Sequence, residues 1–335
     1  DKHVYRVTDS THFKVNEFFN ESNMLSTFDN YLPEGKYQDF VDTLFALRVL
    51  YDFYVIRIRN SDDTYTLLMS RGLRDDSEEE DEDEDYSQTD FAKLRAFESM
   101  LYVNSVNVTY YRWLPALLHK VYNADRFSRR SKQDLINPTD LLTELKSIDN
   151  KVHKGDDLKK FTYRDIDRYW FWRLDYYLWE GIIDAQKATK ESSIIRNYRF
   201  RRNRSIEHLH PQNQENNIVW TEEQVNCFYN LAMISQGFNS TQSNDSVRVK
   251  FARIADAKTD IESLKMFDMY MLANKSYDQW NIKTANEHGN RMMDILIDSF
   301  ISNKNDEDYY SLIRTRLNQI KNNNNELMTE YKDNL

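Results

Sequence analysis

The sequence predicts a mainly helical protein with one short strand–strand–helix unit set among its helices. Three observations lead there. Glycine (6) and proline (4) are scarce among 335 residues, so turn formers are few and little hairpin content is expected. Apolar residues recur at helical spacing over most of the chain. After Gly181 the character changes, and residues 192–220 show short apolar–polar alternation with clustered Arg, Asn and Gln. The length allows two or three domains and a sizeable core.

The elements follow in order. "VDTLFALRVLYDFYVIRI" (41–58) is dense enough for a buried helix, or for a helix running into a strand. "DTYTLLMS" (63–70) predicts a short strand. Phe91, Leu94, Phe97 and Leu101 recur at helical spacing behind Thr89 and Asp90, an N-cap pair. A helix over 109–123 must take Pro115 in its first turn or kink there. "NPTDLLTELKSI" (137–148) begins with helix-start chemistry. "RDIDRYWFWRLDYYLWEG" (164–181) reads as a core helix with Arg and Asp on its wet edge, rather than as a base-stacking platform, because such aromatic density usually means burial. The two short strands fall near Glu207 and at "NLAMIS" (230–235). A helix then follows "NSTQSND", with Val247, Phe251 and Ile254 on one face. From 258 to 320 the pattern is helical again, and the tail with Asn322 to Asn325 is expected to fray. The resulting division is a helical domain over 1–190, a strand–strand–helix domain with following helices over 191–300, and a C-terminal helix and tail over 301–335.

Charge is concentrated in one place. "DDSEEEDEDED" (75–85) holds ten acidic residues, and without it the chain has 45 acidic against 45 basic side chains. Such a run repels itself and cannot bury, so residues 74–90 are expected to be a solvated, disordered loop. A polyanion mimic that covers a basic groove is the sharper alternative. The single cysteine, Cys227, excludes an internal disulfide framework and suits a reducing cytoplasm. No apolar run approaches the roughly 18 residues of a membrane span. The start at Asp1, without a signal pattern, reads as a piece of something longer.

The stretch that carries chemistry is "RRNRSIEHLHPQNQENN" (201–217). If Glu207 and His208 end the first strand and Asn239 leads the helix, a carboxylate, an imidazole and an amide oxygen converge. Those parts suit phosphodiester hydrolysis with one divalent metal. A neutral imidazole can take a proton from water, and a hard cation on oxygen ligands can neutralise the developing charge. Arg196, Arg199, Arg201, Arg202 and Arg204, five in nine residues, would hold the phosphate backbone. The plainer readings are a surface ion pair, a helix cap, and a solvated basic face that balances the acidic loop. One Cys and scattered His give no zinc spacing.

"IEHLHPQ" followed by "YNLAMISQGFNSTQSN" resembles the His-Me finger (HNH) nuclease pattern, and in detail the C-terminal nuclease domain of GmrSD-type, modification-dependent restriction endonucleases. "YWFWRLDYYLWE" (169–180), "FRRNRSIEHLHPQ" (200–212), Trp280 and Arg291 are also similar to segments of that family, and the resemblance covers about 160–300. It implies a ββα-metal motif embedded in the mainly α fold, with His208 as general base and Glu207 and Asn239 as ligands of Mg²⁺ or Mn²⁺. Asn230 would brace the loop or orient His208. It further implies restriction of phage or modified DNA, with 5′-phosphate products. The family's N-terminal nucleotide-dependent module is missing from these 335 residues, so a partner of that kind is expected, and homo-oligomerisation is left open. The alternatives are a catalytically silent nucleic-acid-binding or assembly module, and an RNase on the same fold.

Overall fold

The structure is a computed structural model. It describes residues 34–59, 64–67, 90–104, 113–123, 136–152, 160–185, 195–202, 204–212, 220–235, 246–256, 261–300 and 307–329, together with residues 26, 32 and 158. The acidic run, Thr89 and Asn239 lie outside the described residues. The chain divides into two compact units, one drawn from Asp1–Glu84 and Ser105–Asp149, the other from Asp85–Asn104 and Asn150–Leu335. The protein is mainly helical, and no helix among the described residues is long and apolar enough to cross a membrane.

In the first unit α1 (Tyr37–Tyr54) does run into a strand, β1 (Arg57–Arg59), which pairs antiparallel with β2 (Thr64–Thr66). The second unit contributes α2 (Asp90–Asn104). Next in the chain come α3 (Trp113–Asn123), in the first unit with Pro115 in its first turn, and α4 (Pro138–Val152), which belongs to the first unit as far as Asp149. Proline can stand at those positions because the first N–H groups of a helix have no intrahelical acceptor. Asn137 caps α4, its Oδ1 accepting from Asp140 N–H at 2.8 Å. Leu50, Leu117 and Leu145 are at most 1% exposed and mark this unit's core.

The second unit is organised around α5 (Tyr169–Asp184), whose Phe171, Leu174 and Tyr176 have no exposed surface. The aromatic segment is a core helix, as expected, but Arg173 and Asp175 are not on a wet edge: both are fully buried. Arg173 donates to Tyr169 Oη at 2.8 Å, Asn150 Oδ1 at 2.8 Å and Ser299 O at 2.9 Å, and its guanidinium lies 3.8 Å from the Phe300 ring centre. Asp175 Oδ1 accepts from Lys265 N–H at 2.9 Å, at the start of α8 (Leu264–Leu272), where a helix N-terminus favours negative charge. Partners supplied from 90 and more residues away, which no local periodicity reveals, turn these side chains inward.

Before α8 the chain forms β3 (Arg204–His208), α6 (Glu222–Val225), β4 (Leu231–Ser235) and α7 (Val247–Asp256). β3 and β4 are antiparallel, with Glu207 opposite Ala232 and His208 opposite Leu231. The two paired strands and the helix after them are thus present, but the short helix α6 stands between the strands where only a loop was expected. Two long helices close the unit, α9 (Ile282–Asp298) and α10 (Glu307–Thr329). Asn322 to Asn325 are not frayed. They continue α10, and Asn325 Oδ1 accepts from Asn286 and Asn290 Nδ2, each at 2.9 Å. Gly289 on α9 faces the Tyr229 ring so closely that a Cβ there would lie 2.0 Å from it, which only glycine permits.

Candidate active site

The site begins with the way residue 226 is fixed. Thr221 caps α6 and forms a reciprocal box with Gln224: the Thr221 hydroxyl accepts from Gln224 N–H at 3.2 Å, and Gln224 Oε1 accepts from Thr221 N–H at 2.9 Å. Gln224 Nε2 also donates to Leu327 O at 3.0 Å, tying this short helix to α10. Downstream, Cys227 bridges Thr162, and Phe228 N–H donates to Phe161 O at 3.0 Å. An extended segment preceding α5 thereby runs beside 226–228 and carries Tyr163 to the end of β3.

Successive residues of a strand point to opposite faces, and the neighbours of Glu207 and His208 differ accordingly. Glu207 is 8% exposed, and its Oε1 lies 2.7 Å from Lys250 Nζ of α7. The same ammonium donates to His208 O and stands 3.5 Å from Leu209 O. His208 is 7% exposed, with Nε2 2.9 Å from Asn226 Oδ1 and 3.4 Å from Gln212 Nε2. Its ring lies 4.4 Å from that of Tyr163, which is 40% exposed. The imidazole therefore faces amides and a half-open aromatic, not an apolar interior. Burial lowers its pKa below the usual histidine value, the Asn226 hydrogen bond opposes that, and the Lys250 charge adds to it.

Asn230 has no exposed surface and acts on the next turn of chain. Its Oδ1 accepts from His210 N–H at 2.8 Å, and its Nδ2 donates to His210 O at 2.9 Å and to Val225 O at 3.0 Å. Trp280 Nε1 stands 3.5 Å from the same Oδ1, and the His210 ring stacks on Trp220 at 4.5 Å. Asn230 thus braces the loop after β3, and the side chain that meets His208 is Asn226. Arg291 pairs with Asp268.

The arginines separate. Arg199 is exposed, whereas Arg196, Arg201 and Arg202 are half-buried. Arg202 lies over the Tyr102 ring of α2 at 4.1 Å, with Nη2 3.3 Å from Tyr102 O. Arg204 is the first residue of β3. The residues that pattern reading missed are Asn226, Gln212, Tyr163 and Lys250. Lys250 left a signal, since it shares the helical face of Val247, Phe251 and Ile254, where an unpartnered lysine would not be expected. Asn226 and Tyr163 left none, because their placement depends on segments more than 60 residues apart.

Among the described residues no group of three His, Cys, Asp or Glu could hold a metal ion. The oxygens around Lys250 Nζ, one carboxylate and two carbonyls, suit a cation, but that place is taken by the ammonium. The described residues therefore do not fit a divalent ion as they stand.

Fold and site together define a class, a mainly helical protein with a polar imidazole centre at the end of a short antiparallel hairpin. Residues 150–295 match the family model described as GmrSD restriction endonucleases, C-terminal domain, in agreement with the resemblance to that family over about 160–300. The match points to a nuclease role in restriction. Comparison with curated proteins and with solved structures gives no match.

Proposed function

We propose that the chain hydrolyses phosphodiester bonds in DNA, with His208 as the general base, in restriction of phage or modified DNA. The single observation that carries this is the His208 imidazole. It ends β3 inside the matched segment, its pKa lowered by burial, and sits beside an exposed aromatic and two amides. A neutral imidazole accepts the proton of an attacking water, and such positioned bases contribute roughly 10²–10⁴-fold in rate. Asn230 keeps the loop after the base in place, and Arg199 with its neighbours would hold phosphates on the approach. The working unit on this reading is the stretch 191–300.

Mg²⁺ or Mn²⁺ remains the proposed cofactor, with Glu207 and Asn239 as ligands. Glu207 could serve only if Lys250 gives up the carboxylate. The pair also favours a second reading, a catalytically silent nucleic-acid-binding module, in which Glu207 and Lys250 simply close the hairpin onto α7.

Nicking of supercoiled plasmid, measured in Mg²⁺, in Mn²⁺ and in chelator, tests the proposal. The parent should nick in metal, and His208→Ala should lose at least about 100-fold of the rate while keeping its circular dichroism. If His208→Ala cuts as fast as the parent, the imidazole is not the base. A parent that binds DNA in every metal and never cuts it supports the silent module. The same assay on RNA of equal length decides the nucleic acid.

A further inference from the structure

We propose that Asn226 is the positioning residue of this centre: its side-chain oxygen holds the hydrogen of His208 Nε2, so that Nδ1 is the nitrogen that accepts a proton. The inference rests on the nuclease reading for its consequence, though not for its geometry. The backbone of residue 226 is held from two sides. Its N–H donates to Glu222 O at 3.0 Å, and its carbonyl accepts from Tyr163 N–H at 2.9 Å. The following residue is bridged to Thr162. A turn of helix before it and an extended segment beside it leave the side chain little freedom, and it points at the end of β3. There Oδ1 stands 2.9 Å from His208 Nε2.

An amide oxygen accepts and cannot donate, so the nitrogen that faces it carries the hydrogen. A neutral imidazole has a single N–H, and the lone pair therefore resides on Nδ1. Gln212 is consistent with this. Its Nε2 donates to the same Asn226 oxygen at 3.3 Å and lies 3.4 Å from His208 Nε2, a spacing natural for two donors that share one acceptor. Tyr163 lies against the ring and hinders rotation that would exchange the two nitrogens. Asn230, whose amide is engaged by His210 and Val225, does not perform this task.

The test separates the oxygen from the volume. Asn226→Leu removes the acceptor at similar size, Asn226→Ala removes it without steric load, and Asn226→Asp retains it. Two-bond ¹⁵N–¹H spectra of the full chain, with His208 assigned by the signals lost in His208→Ala, report which nitrogen is protonated. The parent and Asn226→Asp should show the proton on Nε2, and the Leu and Ala variants a mixture of tautomers. In the plasmid assay with Mn²⁺, the Leu and Ala variants should lose roughly 10–100-fold in kcat, with KM for plasmid within about twofold of the parent. A parent-like tautomer and kcat in both variants would overturn the proposal, as would a loss carried by KM alone. If the parent itself does not nick, the nuclease reading fails, while the spectra still judge Asn226.

Discussion

Two regions of the second unit bury polar groups, and they differ in access. Among α5, α8 and α9, Arg173, Asp175, Lys265 and His288 have no exposed surface, and the hydrogen bonds of the first three run to backbone and side chains of the interior. At the end of the β3–β4 hairpin, Glu207 and His208 are nearly as buried, yet His208 adjoins the half-open Tyr163 and the exposed Gln212. Desolvating a polar group costs free energy in both places, and partners offset it in both. On the proposed reading, only the second arrangement lets an arriving water give up its proton to a buried group. Burial of polar groups alone, then, does not mark a candidate site; burial one side chain away from solvent does.

The comparison breaks most readily at Arg173. Arg173→Leu takes a donor from Asn150 Oδ1 and leaves Ser299 O with only the longer 3.4 Å contact to the Tyr177 hydroxyl, and opens space beside Phe300. The expected cost is about 3 kcal/mol, a fall of roughly 6–12 °C in Tm by calorimetry. An unchanged Tm would mean that the guanidinium is not part of the core.

His288 gives a smaller effect with a definite sign. Burial pushes its pKa down to about 4, against the raising influence of Asp268, whose Oδ1 is 3.3 Å from Nε2. At neutral pH the ring is therefore uncharged, and this contact is not an ion pair. In the unfolded chain it titrates near 6.5, so stability falls as pH drops from about 6.5 towards 4, where only the unfolded state takes up the proton. Asp175, raised to about 6 mainly by burial, works in the opposite direction over much of the same window. Lys265 and Arg291, also near His288, carry charge that lowers its pKa further. Relative to the parent, His288→Gln should gain stability as pH is lowered from 7 to 4.5, measured by urea midpoints. A difference that does not change with pH would show that His288 does not titrate on unfolding.

The smallest effect sharpens the open side. Arg199→Glu, at the exposed arginine, should weaken DNA binding several-fold and reduce the slope of log Kd against log salt by about 1. Fluorescence anisotropy across a salt series measures both. The buried Arg173 has no such dependence. Unchanged affinity would move the nucleic-acid path away from this stretch.

Much of the fold was legible because the information is local. The aromatic helix, the cap at Asn137 and Pro138, and the strand–strand–helix order all follow from spacing within one element. The carboxylate–imidazole pair at the end of a strand was legible for the same reason. What was not legible depends on long separations in the chain. Arg173 is turned inward by Ser299, Asp175 by the first turn of α8, and the tail asparagines by Asn286 and Asn290. In the site, the pairing of Glu207 with Lys250 and of His208 with Asn226 depends on where α7 and the 161–163 segment settle, and neither is encoded next to the histidine.

The bare α-carbon of residue 289 has a reach beyond its own helix. The ring it admits belongs to Tyr229, whose hydroxyl lies 2.9 Å from Asn290 Oδ1 and 3.2 Å from Lys321 O, and whose next neighbour along the chain is Asn230. A methyl group added at 289 would push that ring out of its slot, and the push would arrive at the amide that grips the turn behind the imidazole. On the proposed reading, a substitution in α9 would thus reach the base through Tyr229 and Asn230.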